Sequence, residues 1–140
     1  MHVTGRCHCG EIAYEADIDP DRVSICHCAD CQRLTGTAYR VSAPAPRDSF
    51  RLAGGTPKSY VKYGDSGAKS TQFFCSNCGS PLYRIGADEE YVGIRLGTVD
   101  QRHELTPKIQ IWCQSALPWA NDIRSLRRYE DEGCPATGLT

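Results

Sequence analysis

The stretch "ICHCADCQ" at residues 25–32 contains three cysteines, Cys26, Cys28 and Cys31. A closed zinc knuckle contributes two cysteines to a site, so a group of three is unusual. Four more cysteines lie in two flanking motifs: Cys7 and Cys9 in "RCHCGE", and Cys75 and Cys78 in "FCSNCGSP". What these seven cysteines bind therefore decides how the chain folds.

The composition describes an ordinary globular domain. A length of 140 residues fits a single core, and 40% hydrophobic residues with 24% charged residues is typical of a soluble protein. The net charge is −1 without a basic block, which argues against nucleic-acid and membrane-surface partners. No apolar stretch approaches the roughly 20 residues of a membrane span, and the N-terminal sequence lacks a signal-peptide core. We expect a cytoplasmic protein.

The nine cysteines of the chain need an explanation, and disulfide bonds are the first alternative. The odd number, the missing secretion signal and a reducing cytosol all disfavour a disulfide framework. The Cys-x-Cys and Cys-x-x-Cys spacings also suit a shared metal better than long-range bridges. Metal sites are therefore the preferred interpretation.

The rest of the chain predicts a mainly β domain. Short runs of strand-forming residues alternate with turns rich in Gly, Pro, Asp and Asn. The predicted strands are 11–16, 38–43, 49–53, 58–63, 70–75, 81–85, 91–97 and 108–113. One short helix is predicted after Cys28, through "ADCQRLTG", with Gly36 ending it. We divide the chain into a zinc-binding domain, 1–123, and a loosely held C-terminal tail, 124–140.

The two flanking motifs predict one closed metal site. In Cys-x-x-Cys-Gly, the glycine after Cys78 permits a positive φ, which lets backbone N–H groups turn toward the sulfurs. The i, i+2 spacing of Cys7 and Cys9 places both thiols on one face of an extended segment. Cys7, Cys9, Cys75 and Cys78 together make a Cys₄ zinc site. Such a site can contribute much of the folding energy of a small domain.

The middle motif predicts an open site. Three thiolates leave one zinc coordination position free, which is typical of a catalytic rather than a structural metal. One alternative is that His27 closes the site, although a residue between two ligands points to the opposite face of an extended chain. His8 has the same geometry, and we interpret both histidines as neighbouring or surface residues. Another grouping of the seven cysteines also remains open at this level.

The chemistry of such a site favours thiols. Three thiolates already supply negative charge, so bound water is less acidic than on a neutral zinc site and hydrolysis is not the first choice. A thiolate-rich zinc favours an incoming thiol as fourth ligand and holds it as a nucleophile. The expected reaction is addition of a thiol to a small electrophile, or its reversal.

Five motifs together resemble the glutathione-dependent formaldehyde-activating enzyme family, which includes the centromere protein V group. They are "GRCHCGEIAYE", "CHCADCQRLTG", "FFCSNCGSPLY", "GTVD" at 97–100 and "TPKIQIWCQSALPW" at 106–119. The resemblance covers about residues 4–122 and implies an Mss4-like β-tent fold with zinc-clipped strands. It also implies two zinc ions per chain: a structural one on Cys7, Cys9, Cys75 and Cys78, and a catalytic-type one on Cys26, Cys28 and Cys31. We expect the second site to be only partly occupied, because fewer protein ligands hold its metal.

The family resemblance further implies a carbon–sulfur lyase or synthase that joins glutathione to formaldehyde, giving S-hydroxymethylglutathione. The expected partners are thus a small thiol, glutathione or similar, and a small aldehyde. The alternatives are a non-catalytic zinc-binding interaction module of the same fold, or an enzyme acting on another thiol or thioether. An intact three-cysteine cluster favours the enzyme.

Several residues other than the seven motif cysteines are candidates for binding or packing roles. Lys69, Arg40 and Arg95 are candidate partners for the carboxylates of a glutathione-like ligand. We expect Cys113 to be a buried, small apolar residue and Cys134 to be a free thiol in the tail. The expected role of Trp112 and Trp119 is core packing, with a pocket wall as the alternative.

Overall fold

The structure is a computed structural model that describes residues 1–132. Within these residues the chain forms ten strands and one α-helix. The strands are β1 His2–Arg6, β2 Ala13–Asp17, β3 Ser24–Cys26, β4 Arg40–Pro46, β5 Arg51–Gly54, β6 Lys58–Tyr63, β7 Lys69–Phe74, β8 Pro81–Gly86, β9 Tyr91–Arg95 and β10 Ile109–Ile111. The helix, α1, is Ala29–Thr35. The prediction of a mainly β fold is confirmed.

The strands form two sheets. The small sheet has the order β1-β2-β5, and the large sheet has the order β10-β3-β4-β9-β8-β7-β6. Every pairing is antiparallel except that of β3 with β10, which is parallel. The parallel pair brings residues 109–111 beside the strand that ends in Cys26.

Helix α1 begins and ends where the sequence predicted. Cys28 is the N-cap, and its Sγ accepts a hydrogen bond from the backbone N–H of Cys31 at 3.3 Å. Gly36 has φ 66°, a left-handed conformation that costs glycine little, and its N–H donates to the carbonyl of Gln32. The capping sulfur belongs to the three-cysteine motif, so the start of the helix and the cysteine cluster are one local structure.

The hydrophobic core contains residues from both sheets. Tyr14 of β2 stacks on Phe50 with ring centroids 5.4 Å apart, and Phe50 contacts Tyr83 of β8 at 4.5 Å. Buried aliphatic side chains surround these rings: Val3, Ala16, Ala43, Leu82, Val92 and Ile94. Gly5 allows this packing, because a Cβ there would lie 2.2 Å from the Tyr14 ring. The two sheets thus share one core.

The large sheet also buries a polar set of residues. Arg40 and Ser42 of β4 alternate along the strand with Val41, which packs against the core, and Ala43, which belongs to it. Ser42 lies opposite Arg95 of the neighbouring strand β9. Strand alternation puts such residues on the sheet face opposite the core. This polar face forms the floor of the cleft described below.

Two strands were not predicted. β1 has only Val3 and Gly5 as buried residues, and β3 has three residues, too few for a recognisable alternation.

No helix within 1–132 has the length and apolar character that crossing a membrane requires. Residues 124–132 contain neither helix nor strand, while Cys134 and the end of the proposed tail lie outside the described residues. The division at residue 123 stays a prediction.

Candidate metal centres

The four flanking cysteines converge in the structure. Their sulfur atoms all lie within 4.8 Å of one another, with Cys7 Sγ 3.6 Å from Cys9 Sγ and Cys9 Sγ 3.7 Å from Cys75 Sγ. A tetrahedron of thiolates at a zinc–sulfur distance of about 2.3 Å requires sulfur–sulfur separations of about 3.8 Å. Cys7, Cys9, Cys75 and Cys78 are therefore spaced as a zinc tetrahedron needs.

Turns at both pairs direct polar hydrogens at the sulfurs. The N–H of Ile12 donates to Cys7 Sγ at 3.3 Å. Gly79 has φ +76°, so the turn closes with its N–H donating to the carbonyl of Cys75 at 2.8 Å. The Ser80 hydroxyl, 3.2 Å from Cys78 Sγ, and then backbone N–H donors lower the pKa of Cys78 to about 5. These contacts favour the thiolate form that a metal binds.

The middle motif forms a second cluster. Cys26 ends β3 and is buried, whereas Cys28 and Cys31 are half-buried at the start of α1. Their three sulfurs lie within 4.8 Å of one another, and within residues 1–132 no further Cys, His, Asp or Glu joins the group. The cluster thus has three ligands and space for a fourth.

Neither neighbouring histidine closes this cluster. His27 is fully buried, and its Nε2 lies 2.8 Å from Oε1 of Gln110 on β10. Its backbone N–H donates to the carbonyl of Ile111 at 3.1 Å, so the residue ties the cysteine loop to β10. His8 is exposed beside the four-cysteine site. Both positions agree with the interpretation of these histidines as neighbours rather than ligands.

Arg40 sets the electrostatics of the open cluster. Its Nε donates to Cys31 Sγ at 3.2 Å. Burial acts to raise the pKa of Cys31, but the charge and hydrogen bond of Arg40 outweigh it, so this pKa is lowered. At Cys28 burial dominates and raises the pKa to about 11. Arg40 therefore favours the thiolate form of Cys31, whereas burial disfavours that form at Cys28.

A cleft of about 830 Å³ opens onto this cluster. Six cationic side chains line it: Arg22, Arg40, Lys62, Lys69, Arg84 and Arg95. Asp88 is the one carboxylate among the described lining residues. The cleft is therefore strongly positive beside three thiol ligands, an arrangement that favours an anionic molecule carrying a soft donor.

Three of these cations were predicted and three were missed. Lys69, Arg40 and Arg95 all line the cleft. Arg22, Lys62 and Arg84 lie in none of the recognisable sequence motifs. Gly93, in the middle of a strand, was an available signal for Arg84, because a strand glycine often marks close approach of another group.

Two arginines are buried on the floor of the cleft. Arg40 and Arg95 are 8% and 7% exposed, and both donate to Ser42 Oγ, at 2.5 Å and 2.9 Å. Arg95 also donates to Gln72 Oε1 at 2.6 Å. Burial, and then the charge of Arg40, lower the pKa of Arg95 to about 9. The protonated form of Arg95 is thus destabilised by its surroundings.

Three expectations outside the clusters were wrong. β10 ends at Ile111, and Trp112 then adopts φ 58°, which turns the chain away from the sheet. As a result Cys113 is exposed rather than buried. Trp112 and Trp119 are 55% and 56% exposed rather than packed in the core. Trp112 lines the cleft, in agreement with the alternative prediction that it forms a pocket wall.

Comparison with known proteins adds a family and a fold. The model of the family described as "Glutathione-dependent formaldehyde-activating enzyme" matches residues 2–115. No curated protein sequence matches the chain. A crystal structure of a Rhodobacter sphaeroides protein from the Northeast Structural Genomics effort has a TM-score of 0.61 at 20% identity. The alignment covers 76% of this chain and 98% of that one. At this identity the likeness shows the fold alone.

Proposed function

The chain belongs to the glutathione-dependent formaldehyde-activating enzyme family, and from this premise we propose that it catalyses addition of a thiol to a small aldehyde. The thiol is of the glutathione class, and the aldehyde is formaldehyde or one of similar size. Cys26, Cys28 and Cys31 would hold a zinc ion, whose open position would select the thiol and keep it deprotonated. Cys7, Cys9, Cys75 and Cys78 would hold a structural zinc.

One observation carries this proposal: three sulfurs face a large cationic cleft without a fourth ligand among the described residues. The four-cysteine group has a complete tetrahedral set and needs no external ligand. The difference in ligand number supports a structural role for one site and a reactive role for the other. A zinc on three thiolates would supply an open position that selects a thiol and keeps it deprotonated.

The residues around the cluster supply the charge balance. Three thiolates with a divalent metal carry a formal charge of −1, and an incoming thiolate makes it −2. Arg40, whose Nε contacts Cys31, offsets the first charge. This leaves the remaining cations of the cleft floor to offset the thiol and any anionic group attached to it.

The reaction forms one carbon–sulfur bond. The sulfur lone pair attacks the aldehyde carbon, the carbonyl π electrons move to oxygen, and that oxygen takes a proton. The aldehyde carbon needs a position roughly 3–3.5 Å from the sulfur before attack. Lys62 lines the cleft, pairs with Asp30 at 2.6 Å, and is our candidate for the proton donor. Lys62 then regains a proton from water, equal to the one that the thiol released on binding, so the overall addition balances.

The two metals should differ in lability. We expect two zinc ions per chain, and a chelator should remove the zinc of Cys26, Cys28 and Cys31 about tenfold faster or more, because three protein bonds hold it instead of four. The measurement is zinc release followed with a chromogenic chelator. Cys28→Ser should abolish only the fast phase of zinc release. Cys113→Ser changes an exposed cysteine outside both groups and should leave both phases of zinc release unchanged. Protein that still holds a single zinc after incubation with excess zinc would contradict the assignment.

Thiol binding should depend on pH in a defined direction. Only the thiolate is a good ligand, so binding releases a proton. The apparent affinity should rise about tenfold per pH unit below the free pKa of the thiol, roughly 8.5, and level off above it. The visible spectrum of cobalt-substituted protein reports this binding directly, because a fourth sulfur ligand changes the cobalt environment.

The same titration tests the proposed function. Addition of glutathione should change the cobalt spectrum of the wild-type protein and leave that of Cys28→Ser unchanged. A spectrum unaffected by millimolar glutathione, with cobalt shown to occupy the three-cysteine cluster, would reject the thiol as ligand. The non-catalytic interaction module of the same fold would then be the better account.

A further inference from the structure

Arg84 and Arg95 lie next to each other on the floor of the cleft. Arg84 of β8 pairs with Gly93 of β9, and Arg95 follows two residues later on β9. A Cβ at Gly93 would lie 3.2 Å from Cγ of Arg84, so the missing side chain lets Arg84 lie across β9. Both side chains line the cleft.

Within residues 1–132, neither of these two guanidinium groups forms an ion pair or a hydrogen bond with an anionic side chain. Among the described residues, Arg95 hydrogen-bonds only to the neutral groups of Ser42 and Gln72, and its buried Nε has no partner there. Arg84 makes no ion pair and no side-chain hydrogen bond within residues 1–132. The charges of Cys31 and then Asp88 act on Arg84, and those of Cys31 and Cys26 act on Arg95, but none of these groups bonds directly to either guanidinium within that range. Arg95 is buried and Arg84 is half-buried, and a desolvated cation without a directly bonded anion is costly, so an external anion would stabilise this arrangement.

Arg40 does not serve this purpose. Its Nε is engaged by Cys31 Sγ, and its charge is already needed to offset the thiolates of the cluster. Lys69 is exposed at the wall of the cleft, and ammonium groups there remain hydrated. The unused positive charge of the floor is therefore that of Arg84 and Arg95.

We propose that Arg84 and Arg95 form a binding site for one oxyanion group, a carboxylate or a phosphate, on the floor of the cleft. The planar fork of a guanidinium matches the two oxygens of such a group, and charge-assisted hydrogen bonds of this kind are among the strongest. Each Nη of Arg95 has a second N–H besides the one given to Ser42 or Gln72, and these N–H groups are the donors that Arg95 offers it. Assigning the oxyanion to a substrate of the aldehyde–thiol reaction rests on the proposed function; the site itself does not.

Calorimetry on the zinc-loaded protein tests the site without any turnover. Inorganic phosphate and acetate are titrated separately at constant ionic strength, with chloride as the balancing anion. We expect saturable binding of at least one of them, and a loss of about tenfold or more in affinity for Arg84→Gln. Arg47→Gln removes the same charge from an exposed position outside the cleft and should leave the affinity unchanged.

A second measurement covers Arg95, whose burial makes substitution more disruptive. The Nε–H resonance of Arg95 in a ¹H–¹⁵N spectrum should shift on anion addition and saturate at the calorimetric affinity. Anion binding that is equally tight in Arg84→Gln, as expected if the anion coordinated the zinc instead, would overturn the proposal. So would the absence of saturable binding to the wild-type protein.

Matched thiols separate this inference from the proposed function. 3-Mercaptopropionate should change the cobalt spectrum at about tenfold lower concentration than 2-mercaptoethanol, and Arg84→Gln should remove this preference. If both thiols bound equally while phosphate and acetate did not bind, the oxyanion site would be rejected and the thiol reaction would stand. If phosphate or acetate bound in the manner described while no thiol changed the spectrum, the thiol reaction would be rejected and the oxyanion site would stand.

Discussion

Replacing Cys75 with serine should remove most of the stability of the protein. Cys75 is buried, and its sulfur lies 3.7 Å from that of Cys9 in the four-cysteine group. Structural zinc contributes its binding energy to folding, so losing one ligand should cost about 5 kcal/mol or more. Whole domains have a free energy of unfolding of about 5–15 kcal/mol. We expect a chain that is largely unfolded, or a Tm lowered by at least about 10 °C.

Thermal melts followed by circular dichroism, with zinc content measured in parallel, check this result. Cys113→Ser is the matched control, because it makes the same chemical change at an exposed position outside both cysteine groups. Its stability should stay within about 0.5 kcal/mol of the wild type. A Cys75→Ser protein that melts like Cys113→Ser would show that the four-cysteine group does not hold the fold together.

Cys28→Ser should give the second large effect, on turnover rather than on folding. Cys28 is half-buried, and its sulfur caps α1 by accepting the N–H of Cys31. Serine is among the best N-cap residues, so the helix should still begin at Ala29 and stability should change by no more than about 1 kcal/mol. Serine is a poor zinc ligand, however, and losing the contribution of a catalytic metal lowers rates on the order of a hundredfold or more.

Exchange between glutathione, formaldehyde and their adduct, measured by NMR magnetisation transfer, reports the rate. Zinc-loaded wild-type protein should accelerate this exchange, and Cys28→Ser should return it to the rate without protein. A Cys28→Ser protein that is unfolded, together with a folded and inactive Cys75→Ser, would mean that the structural and reactive roles of the two clusters are exchanged.

Local patterns in the sequence were enough for the parts of the fold that local interactions determine. The helix was predicted after Cys28 with Gly36 ending it, because a glycine at the end of a helix is a local signal that depends on neighbours within a few residues. Spacing also favoured the pairing of Cys7 and Cys9 with Cys75 and Cys78, because two half-sites must meet to complete a tetrahedron, although it left another grouping open. The structure brings those four residues together.

Long-range contacts were harder to predict. β3 is stabilised by lying between β4 and β10, and three residues carry too little pattern to reveal this. The positive floor of the cleft depends on register, since Arg84 meets Gly93 and Arg95 meets Ser42 only after three strands have paired. Cys113 was assigned to the core because β10 was expected to continue to that residue. The left-handed turn at Trp112 ends the strand earlier, and a residue as bulky as tryptophan gives no local signal for such a turn.

The parallel pairing of β3 with β10 also affects the order in which the protein is completed during synthesis. All four sulfurs of the Cys7, Cys9, Cys75 and Cys78 group have been translated by residue 78, when the partners of His27 on β10 do not yet exist. At roughly 5–20 residues per second, β10 follows within a few seconds. A nascent chain can therefore bind the proposed structural zinc while the loop of Cys26 and Cys28 still lacks one of its walls. Synthesis thus delivers the four-cysteine group before the cleft is complete, so under the proposed function the cleft is completed on a chain that the first zinc already anchors.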